Sequence, residues 1–361
     1  MGDPQLTRAS GGSAAPVAAA IGLDVGGGAV KAGAVLLSGD GLLTRAAGPC
    51  PPDRATTVGA EAGAAELRVP HHAEADGDAL SALCAATAAD LLAPLRSRWP
   101  DLPVVWGVSA AAWIDPGTGR SVFSPHLMGW RNRPLPQDLA RALSPREGMP
   151  PPSVVNDADA AAWAEARLVP RPGGDAGPSR PDRMVLVTIG TGIGGALVRD
   201  GAVDLGAHGM AGEYGHMTVD PSGVPCPCGN TGCWELLVSA EALAARAGRA
   251  SARTTLDDAL AGDPDCRRAV AATGRWLGRG LATLAAVLDP SRFVIGGGVA
   301  VAGELLLAPA REELARHLPG GRHRRVPSVA VATWGNRSGW VGAAGIALER
   351  TGWSVTTART D

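Results

Sequence analysis

One imidazole and three thiols stand close together in a single short stretch of this chain. His216, Cys226, Cys228 and Cys233 all lie within GMAGEYGHMTVDPSGVPCPCGNTGCWE, which runs from Gly209 to Glu235. The cysteine pattern C-x-C-x4-C is threaded through Pro227, Gly229 and Gly232, residues that turn a chain tightly, so the four donors can converge on one point. Zinc suits such a set, because borderline-soft thiolates and an imidazole complete a tetrahedron, and a closed tetrahedron is a structural site rather than a hydrolytic one. The alternative is three buried or disulfide-bonded cysteines beside an unrelated histidine. Cys50, Cys84 and Cys266 are scattered and read as small core residues.

The same stretch carries Glu213, three residues before the histidine, and Glu235, two after the last cysteine. Folding the loop around a metal brings Glu213, His216 and Glu235 toward one place, and carboxylates beside an imidazole grip vicinal hydroxyls. The functional reading is polyol binding; the other reading is two solvated surface glutamates.

Elsewhere the chemistry-bearing residues sit at turns. Ala18–Asp24 is an apolar run ending in a carboxylate, followed by Gly26, Gly27, Gly28 and a second apolar run, which reads as strand, glycine turn, strand. The turn offers backbone N–H groups to an anion, and Asp24 can hold a hydrated magnesium ion near it; a plain hairpin is the competing account. MVLVTIGTGIGGALVRDGAVD repeats the theme, with Thr191 inside the turn Gly190–Gly195. Gly190, Gly192 and Gly195 formally match a dinucleotide-binding pattern, but that pattern needs a helix next, and ALVRDGAVD reads as a strand and a hairpin turn. A phosphate-cradling β-turn is expected, and the two units hint at an internal duplication. Gly296, Gly297 and Gly298 make a third turn, suited to lying beneath a planar base. Asn156 and Asp157 stand where a strand gives way to an alanine-rich helix, at the mouth of an α/β sheet, where ligands bind; the equal alternative is that Asp157 or Asp159 is a plain N-cap. His126 lies on a connection with Ser124, Pro125 and Trp130.

The 361 residues suffice for two domains with proper cores. A formal charge of -2 and an isoelectric point near 6.4 make no electrostatic case for nucleic acid or an anionic membrane. No run is read as reaching the ~18 apolar residues of a membrane helix, and the first residues lack a signal-peptide pattern. Metal-type cysteine usage points to a reducing cytoplasm. A floppy tail is expected over 1–17, an N-terminal α/β domain over 18–155 and a C-terminal one over 156–335 with the zinc loop 209–235. A closing helix at about 336–351 is expected to return to the first domain. Leucines at helical spacing predict a helix from Gly59 to Arg96, and 170–183 reads as a surface loop. The tail end, TGWSVTTARTD, reads as unstructured.

Glycine turns for phosphates and base, a carboxylate at a sheet mouth and a polyol grip together point to phosphoryl transfer from a nucleotide to a hydroxyl. The chain resembles the ROK family of bacterial sugar kinases and repressors, in particular its actinobacterial glucokinases. The resemblance rests on Asp24-Val25-Gly26-Gly27, Asn156-Asp157, Gly190 through Gly195, Glu213-x-x-His216, Cys226-x-Cys228-Gly229-x-x-Gly232-Cys233-x-Glu235 and Gly296-Gly297-Gly298. It implies an actin-like ATPase (ribonuclease H-like) fold, with two α/β domains around a cleft and a zinc-binding loop. Carried over residue by residue, it makes Asp157 the catalytic base. Asn156, Glu213, His216 and Glu235 then hold sugar hydroxyls, with Ala112 and His126 nearby. Asp24, Gly26, Gly27, Gly28, Thr191 and Gly192 face the phosphates, Gly297 the adenosine, and His216, Cys226, Cys228 and Cys233 bind zinc. ATP and magnesium are the implied cofactors, beside structural zinc; a homodimer or homotetramer is the implied assembly. Three positions depart from the family: Gly28 replaces a threonine, Ala112 followed by Trp113 replaces a glycine, and His126 replaces an asparagine. One added methyl in a snug pocket shifts selectivity by ~1–3 kcal/mol. Glucose is therefore expected alongside two alternatives, an N-acylhexosamine or C7-cyclitol acceptor and a non-catalytic sugar sensor.

Overall fold

The computed structural model describes residues 15–39, 43–45, 66–72, 74–169 and 182–355. Most of the expected tail and of the 170–183 loop lies outside them. The chain forms two compact units: Met1–Ala176 with Leu205–Met210 and Arg337–Asp361, and Gly177–Asp204 with Ala211–Asn336.

In the first unit, β1 (Pro16–Val25) pairs antiparallel with β2 (Ala29–Ser38) through the first glycine turn. The edge segments β3 (Leu43–Arg45) and β4 (Glu66–Pro70) both pair with β2. Helix α1 (Gly77–Arg98) leads to β5 (Val104–Ala110), parallel to β1. A small hairpin, β6 (Trp113–Ile114) with β7 (Ser121–Phe123), and α2 (Leu135–Ala142) precede β8 (Ser153–Asn156), parallel to β5, and α3 (Asp157–Arg167). The sheet order is β3-β2-β1-β5-β8. β1 and β5 read as unbroken apolar runs because helices cover both faces of the sheet. The closing helix, Ser338–Arg350, packs on β1 and β5, and glycines permit the approach: a Cβ on Gly22 or Gly107 would lie 1.9 or 2.0 Å from a carbonyl oxygen of that helix.

The second unit repeats this succession. β9 (Arg183–Ile189) and β10 (Ile193–Arg199) form an antiparallel pair around Gly190–Gly192, and β11 (Ala202–Val203) extends it. Helices α4 (Glu235–Val238), α5 (Ala240–Ala247), α6 (Ala252–Ala261) and α7 (Pro264–Leu288) follow, then β12 (Arg292–Gly296), α8 (Glu304–His317) and β13 (Ser328–Val331). The order β11-β10-β9-β12-β13, a hairpin followed by two parallel strands, matches the first sheet position for position. The helix required by a dinucleotide-binding fingerprint after the glycine turn is a strand here.

Four particulars differ from the sequence expectations. The first unit runs past 155, because α3 packs on the closing helix: Gly342 meets Ala160 and Gly345 meets the Trp163 ring, so α3 shares a core with the chain's end. The helix expected from Gly59 begins at Gly77; Glu66–Pro70 is a strand, and 59–65 lie outside the described residues. Val355, in the tail end expected to lack structure, is buried, and its carbonyl accepts from Arg167. Finally, α1 is long and apolar enough to cross a membrane by length and composition, yet Leu80, Ala88, Leu91 and Leu92 are buried in the first core, which accounts for the apolarity.

Candidate active site

In the first unit the sheet's carboxyl ends carry two carboxylates. Asn156 is the N-cap of α3, its Oδ1 accepting from the N–H groups of Ala158 and Asp159, and its Nδ2 donating to the carbonyl of Ala112 at 3.1 Å. The N-cap is therefore Asn156 rather than Asp157 or Asp159, and Asp157 takes the first helical position. One oxygen of Asp157 accepts from the Ala158 N–H at 2.9 Å, which leaves the other for a ligand. Its side chain retains some exposed surface, yet burial, together with the like charge of Asp24, pushes its pKa up to about 7.

Asp24 is buried and carries its own compensation. Lys31, its direct cross-strand partner, donates from Nζ at 2.9 Å, and Ser109 donates to the other carboxylate oxygen at 3.1 Å. Sequence reading found neither partner, although the β1–β2 register through a three-glycine turn was the signal for Lys31. The closing helix enters beside Asp24, where a Cβ on Gly339 would lie 2.6 Å from its carboxyl carbon. At the glycine turn, a Cβ on Gly27 would lie 3.2 Å from the Cβ of His126, so the structure sets His126 against the turn. Gly28 is exposed and has open space around it. Ala112 is 3% exposed, its methyl in the core; what it presents is the carbonyl that orients Asn156.

In the second unit the thiol and imidazole donors of His216, Cys226, Cys228 and Cys233 all lie within 4.8 Å of one another. Cys228 and Cys233 sulfurs are 3.6 Å apart, and Cys226 Sγ is 4.0 Å from His216 Nδ1. The turn is closed by Gly229 and Gly232 in left-handed conformations, and a Cβ on Gly232 would lie 1.6 Å from the Asp220 carbonyl oxygen. His216 is flanked by both glutamates, Glu235 Oε1 at 3.3 Å from Nδ1 and Glu213 Oε2 at 3.8 Å from Nε2. The loop's folding thus brings Glu213, His216 and Glu235 together.

Two further supports were not visible in the sequence. Glu235 begins α4, and its Oε2 lies where a Cβ on Gly192 would be 2.8 Å away, which sets the carboxylate over the second glycine turn. Trp234, between the last cysteine and this glutamate, is fully buried, donates to the Trp276 carbonyl at 2.9 Å, and fills the space left by Gly280 of α7. The turn is closed by a 2.9 Å bond from Gly190 N–H to the Gly192 carbonyl and tied to the start of α5 by Ala240 N–H, with Thr191 exposed at its tip. In the third turn Gly297 has φ 82° and packs against the backbone of Ile189, while Gly298 is the open position.

Comparison with known proteins identifies the family and the overall fold. The ROK family pattern matches residues 85–350. A glucokinase of Streptomyces coelicolor is 36% identical over 268 residues, 68% of this chain and 80% of the relative. An N-acetylmannosamine kinase of Citrobacter koseri is 38% identical over 198 residues, 54% of this chain and 64% of the relative. Among solved structures, a ROK family glucokinase from Streptomyces griseus in complex with glucose and AMPPNP superposes with a TM-score of 0.70 at 29% identity, covering 92% of this chain and 99% of that one.

Proposed function

This chain belongs to the ROK family, with an actin-like ATPase fold, and we propose that it is an ATP-dependent kinase converting glucose to glucose 6-phosphate. The observation that carries the catalytic assignment is Asp157. A carboxylate with its pKa near 7 accepts a proton from an attacking hydroxyl far more readily than an ordinary aspartate, while still being largely ionised just above neutrality. Its position at the first turn of α3, with one oxygen engaged by the Ala158 N–H, fixes the direction of the remaining lone pairs. Glu213, His216 and Glu235 are read as the hydroxyl grip, and Asn156 as a sugar contact oriented by the Ala112 carbonyl. The backbone N–H groups of Gly26, Gly27, Gly28, Thr191 and Gly192 are read as phosphate donors, with Gly297 beneath the adenosine. The charge of Asp24 acts on Asp157, with Lys31 as compensating cation, a charge balance that accommodates a magnesium–nucleotide. Magnesium, when bound with ATP, spreads the negative charge of the transferring phosphoryl group.

The thiol and imidazole cluster is read as structural zinc. Zn–S bonds of about 2.3 Å imply a sulfur–sulfur edge of about 3.8 Å, close to the 3.6 Å between Cys228 and Cys233. With Zn–N at about 2.0–2.1 Å the sulfur–nitrogen edge is about 3.5 Å, about half an ångström inside the 4.0 Å from Cys226 to His216. Such a site fits a reducing, cytoplasmic setting. A homodimer or homotetramer, which the family likeness suggests, is checked by light scattering.

The likeness to N-acetylmannosamine kinases supports a second acceptor class, N-acylhexosamines. The deciding experiment is ADP release from Mg-ATP with glucose, mannose, N-acetylmannosamine, N-acetylglucosamine and C7-cyclitols. Fast turnover of glucose supports the first reading; turnover of another acceptor with glucose poor supports the second; silence across the panel, with sugar still bound, makes the chain a sensor.

A further inference from the structure

We infer that His71, outside every glycine motif, is a positioning residue for the nucleotide phosphates: it holds the Gly26–Gly28 turn with its N–H groups outward. The inference rests on the kinase reading above. The β4–β2 register, with Pro70 opposite Ala29, delivers His71 to the turn 45 residues away from Gly26 in sequence. There its Nε2 lies 2.7 Å from the Gly26 carbonyl oxygen, and its main-chain N–H donates to the Gly28 carbonyl at 3.2 Å. Both ring nitrogens face carbonyl oxygens, Nε2 that of Gly26 and Nδ1 that of His72 at 3.0 Å; a neutral imidazole carries one N–H, and the shorter contact assigns it to Nε2 as the donor.

The consequence follows from peptide planarity. In a trans peptide the carbonyl and the N–H point opposite ways, so fixing the Gly26 carbonyl on His71 sends the Gly27 N–H away from it. Three successive glycines have no Cβ to hinder rotation of these peptides. Released, the Gly26–Gly27 peptide can turn its carbonyl outward, presenting oxygen instead of N–H to a phosphate. The family's threonine would both stiffen this turn and supply a hydroxyl; with Gly28 in its place, the tether from His71 takes over the stiffening.

The test compares wild type, His71→Ala, His71→Gln and the double variant His71→Ala/Gly28→Thr. Thr at 28 is compatible with the backbone, since Gly28 lacks a left-handed φ and a Cβ there meets nothing within 4 Å. The readouts are KM for Mg-ATP, KM for the sugar, and binding of Mg-AMPPNP by calorimetry on the full chain. Loss of one hydrogen bond to the turn is expected to raise KM for Mg-ATP and Kd for Mg-AMPPNP roughly 3–12-fold in His71→Ala, with sugar KM within twofold. His71→Gln, whose amide donates to the same carbonyl, retains most of the affinity, and Gly28→Thr restores it in the double variant. A His71→Ala protein that binds Mg-AMPPNP as tightly as wild type overturns the inference while leaving the kinase reading intact; so does an equal rise in sugar KM. If His71→Ala does not fold, His71→Gln against His71→Leu decides by the same constants. A wild type that neither binds Mg-AMPPNP nor consumes ATP overturns the kinase reading and this inference together.

Discussion

Replacing Asp157 by Asn removes the charge but keeps the shape and the oxygen that accepts from the Ala158 N–H. In the folded chain the carboxyl titrates at about 7 against an ordinary 3.8, and at 1.36 kcal/mol per pH unit the ceiling on the folding energy lost by ionising it is about 4 kcal/mol. Because the side chain keeps some contact with solvent, about half of that is the working figure. The sign follows from the direction: a carboxyl raised on folding is tolerated below its unfolded pKa and opposes folding as pH rises through the folded value. Asp157→Asn should therefore melt a few degrees above wild type at pH 8, and the gap should close as pH falls toward 4. The same titration governs activity. Wild-type kcat/KM should fall about tenfold per unit as pH drops below about 7, since the protonated acid cannot accept the hydroxyl proton. In Asp157→Asn, kcat should fall by roughly 10²–10⁴-fold with sugar affinity nearly unchanged. Unchanged turnover in the variant refutes the base assignment. A melting difference that stays flat from pH 4 to 8 refutes the account of why the pKa is raised.

Cys228→Ala should lose zinc, measured by metal analysis, together with solubility; a folded, active, zinc-free variant would sink the structural-metal reading. Glu235→Gln should raise the sugar KM about tenfold, since charged hydrogen bonds contribute about 1.5–3 kcal/mol, with zinc content retained; an unchanged sugar KM removes Glu235 from the grip. Gly280→Ala places a methyl 2.1 Å from the Trp234 ring. It should destabilise the second unit by about 1–3 kcal/mol and lower sugar affinity through Cys233 and Glu235 on either side; wild-type melting and affinity would show that Trp234 yields freely.

Local spacing determined the parts of this protein whose ligands or turns lie close along the chain. The four candidate metal donors span only the stretch from His216 to Cys233, so their convergence needs little beyond the turns at Gly229 and Gly232. The glycine hairpins at 26–28 and 190–192 were legible because a turn between two apolar runs is a local property, and the family likeness assigned roles to Asn156 and Asp157 on the same grounds. The strand at Glu66–Pro70 was not legible, since only pairing with β2 distinguishes it from the helical leucine pattern that follows. The domain limit also escaped, because whether α3 belongs to one core or another depends on glycines at Gly342 and Gly345, nearly 200 residues away. Tertiary structure alone decided the electrostatics: the raised pKa of Asp157 sums burial with the charges of Asp24 and Lys31, and those act through space. It alone also brought His71 to the first glycine turn, because a hydrogen bond between residues so far apart in sequence exists only once the strands carrying them have paired.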